Sequence, residues 1–325
     1  MRPLVTCFGR RFISSTGAIH LKNAQSITKS VKQQLREATR SGQSDLHHAL
    51  SQRVFDFQKN KGNVFVGLDV SSRCTGIAVV DTAGRGIAYH ACETHRLSDV
   101  IEVGRRIRSD VEDLFSTVEL EQTGGGAGTG AETYEWHAGV EACAKNFTRG
   151  RFNAKGLVKL AQINGIAQYI CAEQIGTVPL VVNPSTARTF YDLRVPPPPT
   201  AKDSPEATET EKGAESTAIL MEQEQEQQQQ PVKERVFDFV QRRETAWVPE
   251  MTSKSRLDIS DAFLIAWYTR ANSVFQMLAN DQLLWAQFDI GLLNVKPASA
   301  KRDAMDVLHK SLWEWLREHK HFLRL

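Results

Sequence analysis

The sequence predicts an α/β fold in which a mixed five-stranded sheet is covered by helices on both faces. Three observations support this fold class. Short apolar runs rich in β-branched residues come first, and turn-forming residues separate them. Segments with apolar residues at helical spacing then alternate with further apolar runs. An antiparallel meander followed by alternating strands and helices is the order expected of a mixed sheet.

The strands are predicted from five apolar runs. The first, NVFVGLDV, is apolar enough for a strand buried on both faces, and a turn at Asp81–Gly84 separates the second run from the third. The fourth run, WHAGVEA, resembles a short central strand. The five predicted strands are 63–70, 75–81, 84–94, 136–142 and 178–182.

Helical spacing predicts four helices in the same region and one beyond it. The C-terminal helix alternates leucines and tryptophan with Lys and Arg. Its simplest role is packing, and the alternatives are a dimer contact or docking on RNA or a protein. The predicted helices are 97–118, 154–174, 232–243, 257–271 and 299–325.

Low-complexity stretches and changes in composition set the predicted domain boundaries. The Gly-rich run is a predicted flexible loop inserted in the domain. The Pro- and Gln-rich acidic tract has too few aliphatic residues to repay the entropy of ordering, so it is a predicted disordered insertion, with a linker between two domains as the alternative. The predicted organisation is a basic targeting segment at 1–36, an N-terminal helical extension at 37–61, a domain at 62–275 with insertions near 119–133 and 196–231, and a C-terminal helical extension at 276–325.

The 325-residue chain has a formal net charge of only +2, but its charges are unevenly distributed. No Asp or Glu precedes Glu37, whereas Arg and Lys recur among apolar residues, which is the composition of a mitochondrial transit peptide. We therefore expect the protein to be located in the mitochondrial matrix; the alternative is that this segment is a disordered basic arm that contacts nucleic acid.

No apolar run is long enough to span a bilayer, so no membrane partner is expected. The five scattered cysteines argue against a structural zinc site or a disulfide framework.

Four acidic residues lie at positions suited to catalysis or cation binding. Asp69 ends the first predicted strand, and Glu141 follows small and apolar residues, where a carboxylate is costly to bury unless it is paired or binds a cation. Asp258 and Asp261 are three residues apart and project to one side of a helix start. Each also has a purely structural interpretation, as a turn residue, a solvated rim residue or a helix cap.

Several segments resemble motifs of the RuvC-like Holliday junction resolvases, within the RNase H-like superfamily. GLDVSSRCTGIAVVD at 67–81 resembles the first motif, and residues 141–170, with KLAQINGIA, are similar to the second. VNPSTARTF at 182–190 resembles the stretch after the next strand, and a helix around Lys233 precedes DISDAFLIAWY at 258–268, which is similar to the last motif.

This resemblance implies an RNase H-like fold and phosphodiester hydrolysis with two Mg²⁺ or Mn²⁺ ions about 3.5–4 Å apart. It assigns Asp69, Glu141, Asp258 and Asp261 as catalytic residues and metal ligands. Asp69 would bridge both ions, while Glu141 and the Asp258/Asp261 pair would hold one each. Carboxylate oxygens are the ligands that these hard cations prefer.

A basic, aromatic cluster follows Glu141 and could bind a nucleic-acid backbone. Its two phenylalanines could stack on unpaired bases, with core packing as the alternative, and a solvated loop is the alternative for its charges. The predicted nucleic-acid-binding residues are Lys145, Phe147, Arg149, Arg151, Lys155 and Lys233.

The function that these features favour is a metal-dependent, structure-selective endonuclease that cuts branched mitochondrial DNA in recombination or repair, working as a homodimer. One alternative is a non-catalytic RNA-binding factor in the assembly or structure of the mitochondrial ribosome, so its partner would be a ribonucleoprotein. Another is an RNA-processing nuclease with the same metal site.

Overall fold

A five-stranded sheet lies at the centre of the larger part of the protein. The computed structural model describes residues 33, 45–60, 62–122, 134–143, 154–193, 232–244, 255–287 and 298–323. The strands are β1 (Asn63–Asp69), β2 (Cys74–Asp81), β3 (Gly86–Glu93), β4 (Glu135–Glu141) and β5 (Leu180–Val182).

The sheet has the order β3-β2-β1-β4-β5 and is mixed. Strands β1, β2 and β3 form an antiparallel meander, whereas β4 pairs in parallel with both β1 and β5. Strand β1 is central, and all seven of its residues are buried, as its apolar sequence predicts.

The helices confirm the predicted alternation. In chain order they are α1 (Asp45–Lys59), α2 (Val100–Gln122), α3 (Ala154–Ile175), α4 (Pro184–Phe190), α5 (Val232–Gln241), α6 (Ser255–Asn280), α7 (Gln282–Gln287) and α8 (Ala298–Glu318), followed by a 3-10 helix at Lys320–Leu323.

Helices cover both faces of the sheet. On one face, alternate residues of β1 such as Val66 and Leu68 pack in one buried cluster with Ile107 of α2 and Ile163 of α3. The opposite face carries Phe65, Gly67 and Asp69, because successive strand residues point to opposite sides. Helix α6 lies on this second face, so the predicted α/β fold with helices on both faces is confirmed.

Glycines allow α6 to lie directly on the sheet. The backbone of Ala262 and Ala266 lies where a Cβ at Gly67 would stand, and the backbone of Asp258 lies where a Cβ at Gly76 would stand. A side chain at either glycine would therefore push the helix away from β1 and β2. The N-terminal half of α6 owes its position to this contact.

The described residues fall into two compact units. One comprises Lys61–Arg270 and contains the sheet; the other combines Met1–Asn60 with Ala271–Leu325. Within the second unit, Arg53 Nε lies 2.9 Å from Asp281 Oδ2, and the indole nitrogen of Trp315 donates to His47 Nδ1 at 3.3 Å. Within the residues described, no helix combines the length and the apolar character needed to cross a membrane.

The observed elements differ from the predicted ones mainly at their ends. Strand β5 has three residues rather than five, and α6 continues to Asn280 because its residues beyond Arg270 pack in the second unit. Helix α2 reaches Gln122 and so enters the predicted 119–133 insertion. The predicted segment 1–36, apart from residue 33, and the insertion at 196–231 lie outside the described residues.

We expect Gly67→Ala to lower the free energy of unfolding by about 3 kcal/mol or more, because a methyl group would overlap with backbone that cannot move aside. Urea denaturation measures this loss. Gly165→Ala in α3 is the matched control, since nothing lies within 4 Å of its added Cβ. That control should gain about 0.5–1 kcal/mol from helix propensity. Equal effects of the two substitutions would contradict the close approach of α6.

Candidate functional site

Two of the four predicted carboxylates meet at one edge of the sheet. Asp69 is the last residue of β1 and Glu141 the last residue of β4, and these strands are parallel neighbours in which Leu68 is paired with Val140. Their side chains therefore emerge side by side on the α6 face. Asp69 is only 4% exposed, and its carboxyl group shares a hydrogen bond with Glu141.

The first turns of α6 bring the other two carboxylates to the same place. Gly76 is the residue of β2 paired with Asp69, and the backbone of Asp258 lies against Gly76. The start of α6 is thus held over the end of β1. Asp261, one turn further on, is 4% exposed.

The ammonium group of Lys233 lies among the three aspartates. Its Nζ is 2.8 Å from Asp258 Oδ1, 3.4 Å from Asp261 Oδ2 and 3.5 Å from Asp69 Oδ2. Lys233 extends from α5, and 44% of its side chain is exposed. The three aspartates therefore converge on one position, which the Lys233 ammonium occupies. We call Asp69, Glu141, Asp258, Asp261 and Lys233 the carboxylate cluster.

A second basic residue contacts the carboxylate cluster from α4. Arg188 Nη2 donates to Asp261 Oδ1 at 3.0 Å and to Oδ2 at 3.2 Å. Helix α4 begins directly after β5, with Asn183 as N-cap accepting from the Ser185 amide and Pro184 in its first turn. The short helix directs Arg188 towards the cluster.

A buried amide fixes the end of β4. The side chain of Asn164 on α3 donates to the carbonyl oxygen of Glu141 at 2.6 Å, and Gln168 donates to the Asn164 side-chain oxygen at 2.6 Å. Asn164 is buried, so its hydrogen bonds satisfy polar groups that would otherwise be costly to desolvate. Its contact positions Glu141 relative to Asp69.

Burial and the crowding of like charges together set the electrostatics of the carboxylate cluster. Burial, the hydrogen bond with Glu141 and the charges of Glu141 and Asp261 raise the pKa of Asp69 well above its ordinary value, and Lys233 opposes this only in part. Burial lowers the pKa of Lys233, but the charges of Asp69, Asp261 and Asp258 outweigh it and raise that pKa. The carboxylates thus hold a cation strongly, and one of them still favours its proton.

The oxygen atoms of the four carboxylates are chemically suited to a hard divalent cation. All four acidic residues offer carboxylate oxygens, which Mg²⁺ and Mn²⁺ prefer. In the described part of the chain, however, no three or more His, Cys, Asp or Glu side chains are arranged to hold a metal ion. The aspartate oxygens stand at hydrogen-bond distances from the Lys233 ammonium, longer than the about 2.0–2.1 Å of a Mg²⁺–oxygen bond. A divalent ion would compete with that ammonium.

The structure brings Asp69, Glu141, Asp258 and Asp261 together, as the sequence predicted, while their catalytic and metal-binding roles stay predictions. Of the predicted nucleic-acid-binding residues, Lys155 is exposed at the start of α3. Lys233 points at carboxylates, so a phosphate would be an additional partner for it. Four of the predicted residues lie outside the described part of the chain: Lys145, Phe147, Arg149 and Arg151.

Sequence reasoning missed Arg188 and Asn164 as members of the site. Both lie in segments already singled out, VNPSTARTF and KLAQINGIA. A signal for Arg188 existed, since it follows β5, whose carboxyl end lies at the same edge of the sheet as those of β1 and β4. The sequence contains no comparable signal for Asn164, because a polar residue on a helix is as compatible with a solvated face as with a buried hydrogen bond.

Comparison with known proteins gives distant structural similarity alone. No protein-family model matches the sequence, and neither does any curated protein. Among solved structures, the chain is similar to Thermus thermophilus RuvC, both by itself and in complex with a Holliday junction substrate. Identity is 14% in both cases, with TM-scores of 0.37 and 0.36, over 66% of this chain and 96% and 95% of the RuvC chains.

We expect the stability of the protein to fall as pH rises because of Asp69. The folded state keeps a proton on this carboxyl at a pH where the unfolded chain has released it, since the pKa is raised on folding. Stability from this group is therefore complete below the ordinary Asp pKa and is lost as pH rises through the raised value. Asp69→Asn should remove this pH-dependent loss. The free energy of unfolding of Asp69→Asn, relative to that of wild type, should therefore increase from pH 4 to pH 8. The exposed Asp113→Asn is the control, and parallel profiles for all three proteins would contradict the raised pKa.

We expect Lys233→Met to lower the free energy of unfolding by about 2 kcal/mol in EDTA, because the buried carboxylates lose their cation. Partial exposure of Lys233 keeps this figure below that of a fully buried pair. Added Mg²⁺ should restore the melting temperature of Lys233→Met more than it raises that of wild type or of the control, Lys155→Met. No response of Lys233→Met to Mg²⁺ would show that the carboxylates do not accept a divalent ion.

Proposed function

We propose that this protein is a metal-dependent endonuclease that hydrolyses phosphodiester bonds of a nucleic acid. One observation carries the proposal: aspartates from β1 and α6, far apart in the sequence, converge on a single cation position, and Glu141 of β4 shares a hydrogen bond with one of them, Asp69. Crowded carboxylates are costly unless a cation relieves their repulsion. Hydrolysis of a phosphodiester needs positive charge beside the phosphate, which such a cluster recruits.

The chain's own residues have separable roles in this proposal. Asp69, Glu141, Asp258 and Asp261 would hold two Mg²⁺ or Mn²⁺ ions, which when bound activate water and stabilise the leaving oxygen. Arg188 fixes the carboxylate orientation of Asp261 through two hydrogen bonds, and Asn164 fixes the end of β4 at Glu141.

Lys233 has a part of its own in the proposed reaction. If the aspartates held metal ions, the Lys233 ammonium would no longer be needed to neutralise them and would be available to the phosphate. Its side chain is partly exposed and extends from α5, so it would turn towards a substrate independently of the sheet. Lys233 would then supply positive charge to the phosphate in the transition state.

The substrate that we favour is branched DNA in mitochondria, cut by a homodimer. The acid-free, Arg-rich start of the chain supports a mitochondrial location. A resolvase that cuts two strands symmetrically needs two active sites, which a homodimer provides. A monomer in light scattering at micromolar concentration, with or without a four-way junction, would exclude this part of the proposal.

A second candidate function is nucleic-acid binding without cleavage, for example in a mitochondrial ribonucleoprotein. The observation that favours it is that Lys233 and Arg188 already neutralise the aspartates. In such a protein the carboxylate–ammonium cluster would be a structural device that holds α5 and α6 on the sheet, and no metal would enter.

We expect Asp69→Asn to reduce Mg²⁺-dependent cleavage by about a hundredfold or more while leaving binding intact, because the site would lose one of the carboxylates that would hold the metal without a change of shape. Labelled four-way DNA junctions, linear duplex and structured RNA are compared as substrates, with Asp113→Asn as the control. Faster cleavage of junctions than of duplex or RNA supports the DNA assignment. Faster cleavage of RNA would instead make the protein an RNA-processing nuclease.

The same assay decides against the enzyme if wild type binds but cuts none of the three substrates with Mg²⁺ or Mn²⁺. Cosedimentation with mitochondrial ribosomal particles would then establish the second candidate. Equal cleavage by wild type and Asp69→Asn would exclude the carboxylate cluster as the catalytic site.

A further inference from the structure

A cleft of about 940 Å³ opens beside the carboxylate cluster. Lys233 and Asp258 form part of its wall, so the cleft and the cluster share one space. The rest of the wall comes from the loop between β1 and β2, the end of β3 and the start of α6. Arg73, Glu93 and His95 are among its other lining residues.

Local hydrogen bonds fix the backbone of Arg73 on this wall. The Thr94 amide donates to the Arg73 carbonyl oxygen at 2.9 Å, which extends the β2–β3 ladder by one step beyond the pair Cys74–Glu93. Ser71 closes the loop, since its hydroxyl donates to the Cys74 carbonyl at 2.6 Å and accepts from the Cys74 amide at 3.1 Å. The backbone at Arg73 is therefore held in place before any ligand arrives.

The charge of Arg73 differs from that of the two basic residues in the cluster. Lys233 and Arg188 are paired with aspartates, whereas the Arg73 side chain is exposed and no described carboxylate lies within 4.0 Å of its guanidinium nitrogens. Glu93 also lines the cleft, and its Oε2 lies 3.9 Å from His95 Nδ1. The wall thus presents a guanidinium to an anion from outside the protein.

We propose that this cleft binds the phosphodiester backbone of the strand next to the bond being cut, with Arg73 contacting a phosphate. The inference rests on the proposed function and adds a binding residue to it. A backbone running through the cleft passes from Arg73 to Lys233 and Asp258, so a phosphate held at Arg73 fixes the register of the next one over the carboxylates. The guanidinium provides a fork of donors suited to phosphate oxygens.

Arg73→Gln tests this assignment in the Asp69→Asn background, where binding is measured without cleavage. Fluorescence anisotropy on a labelled four-way DNA junction is recorded from 50 to 200 mM salt and repeated with a single-stranded RNA of the same length. Loss of one phosphate contact should weaken binding severalfold and reduce the slope of log K against log salt by about 0.9 on DNA, or about 0.7 on a single strand.

Arg85→Gln is the matched control, because Arg85 is exposed and lies in the β2–β3 turn, at the opposite end of the sheet. It should leave affinity and salt slope unchanged. If Arg73→Gln behaves like Arg85→Gln while the parent protein binds, the cleft is not the backbone site, and the proposed function stands without it. If the parent binds neither DNA nor RNA, the proposed function and this inference both fail. A melting temperature equal to that of the parent shows that Arg73→Gln is folded.

Discussion

The contact between one ammonium group and three aspartates determines the rest of this site. Asp69, Asp258 and Asp261 come from a strand end and a helix start, and without a cation their charges would repel across a buried space. Lys233 supplies that cation and, with it, ties α5 to the end of β1. The same arrangement leaves two physical outcomes open to the protein: the carboxylates keep the ammonium as a structural partner, or they exchange it for metal ions and release it towards a substrate.

The sheet topology explains why residues so distant in the sequence meet. Parallel pairing of β1 with β4 aligns Asp69 with Glu141, and the helix that lies across Gly67 and Gly76 brings Asp258 to the same edge. Two glycines in neighbouring strands thus have a functional consequence, because they set the distance between the helix and the sheet. A protein with the same four carboxylates but a larger residue at Gly76 could not place Asp258 over the end of β1.

Much of the fold and of the site could be predicted from the sequence, and the features that could not be predicted were missed for physical reasons. Strand β1 and the role of Asp69 as a candidate site residue could be predicted because a fully buried strand that ends in a carboxylate is unusual. The contact of Lys233 with the aspartates was not, since a lysine on an amphipathic helix has the same signature whether it faces solvent or a buried anion. The extension of α6 to Asn280 was missed because the residues of this helix from Ala271 onwards belong to the other compact unit.

The most direct test of the central claim is the anomalous diffraction of Mn²⁺ in crystals of the protein. If the carboxylates form a metal site, an Mn²⁺ peak should lie among Asp69, Glu141 and Asp261, and the Lys233 ammonium should have left the position that it holds between the aspartates. The absence of any peak there at millimolar Mn²⁺, with Lys233 still bonded to Asp258, would contradict the claim. The carboxylates would then serve the fold alone.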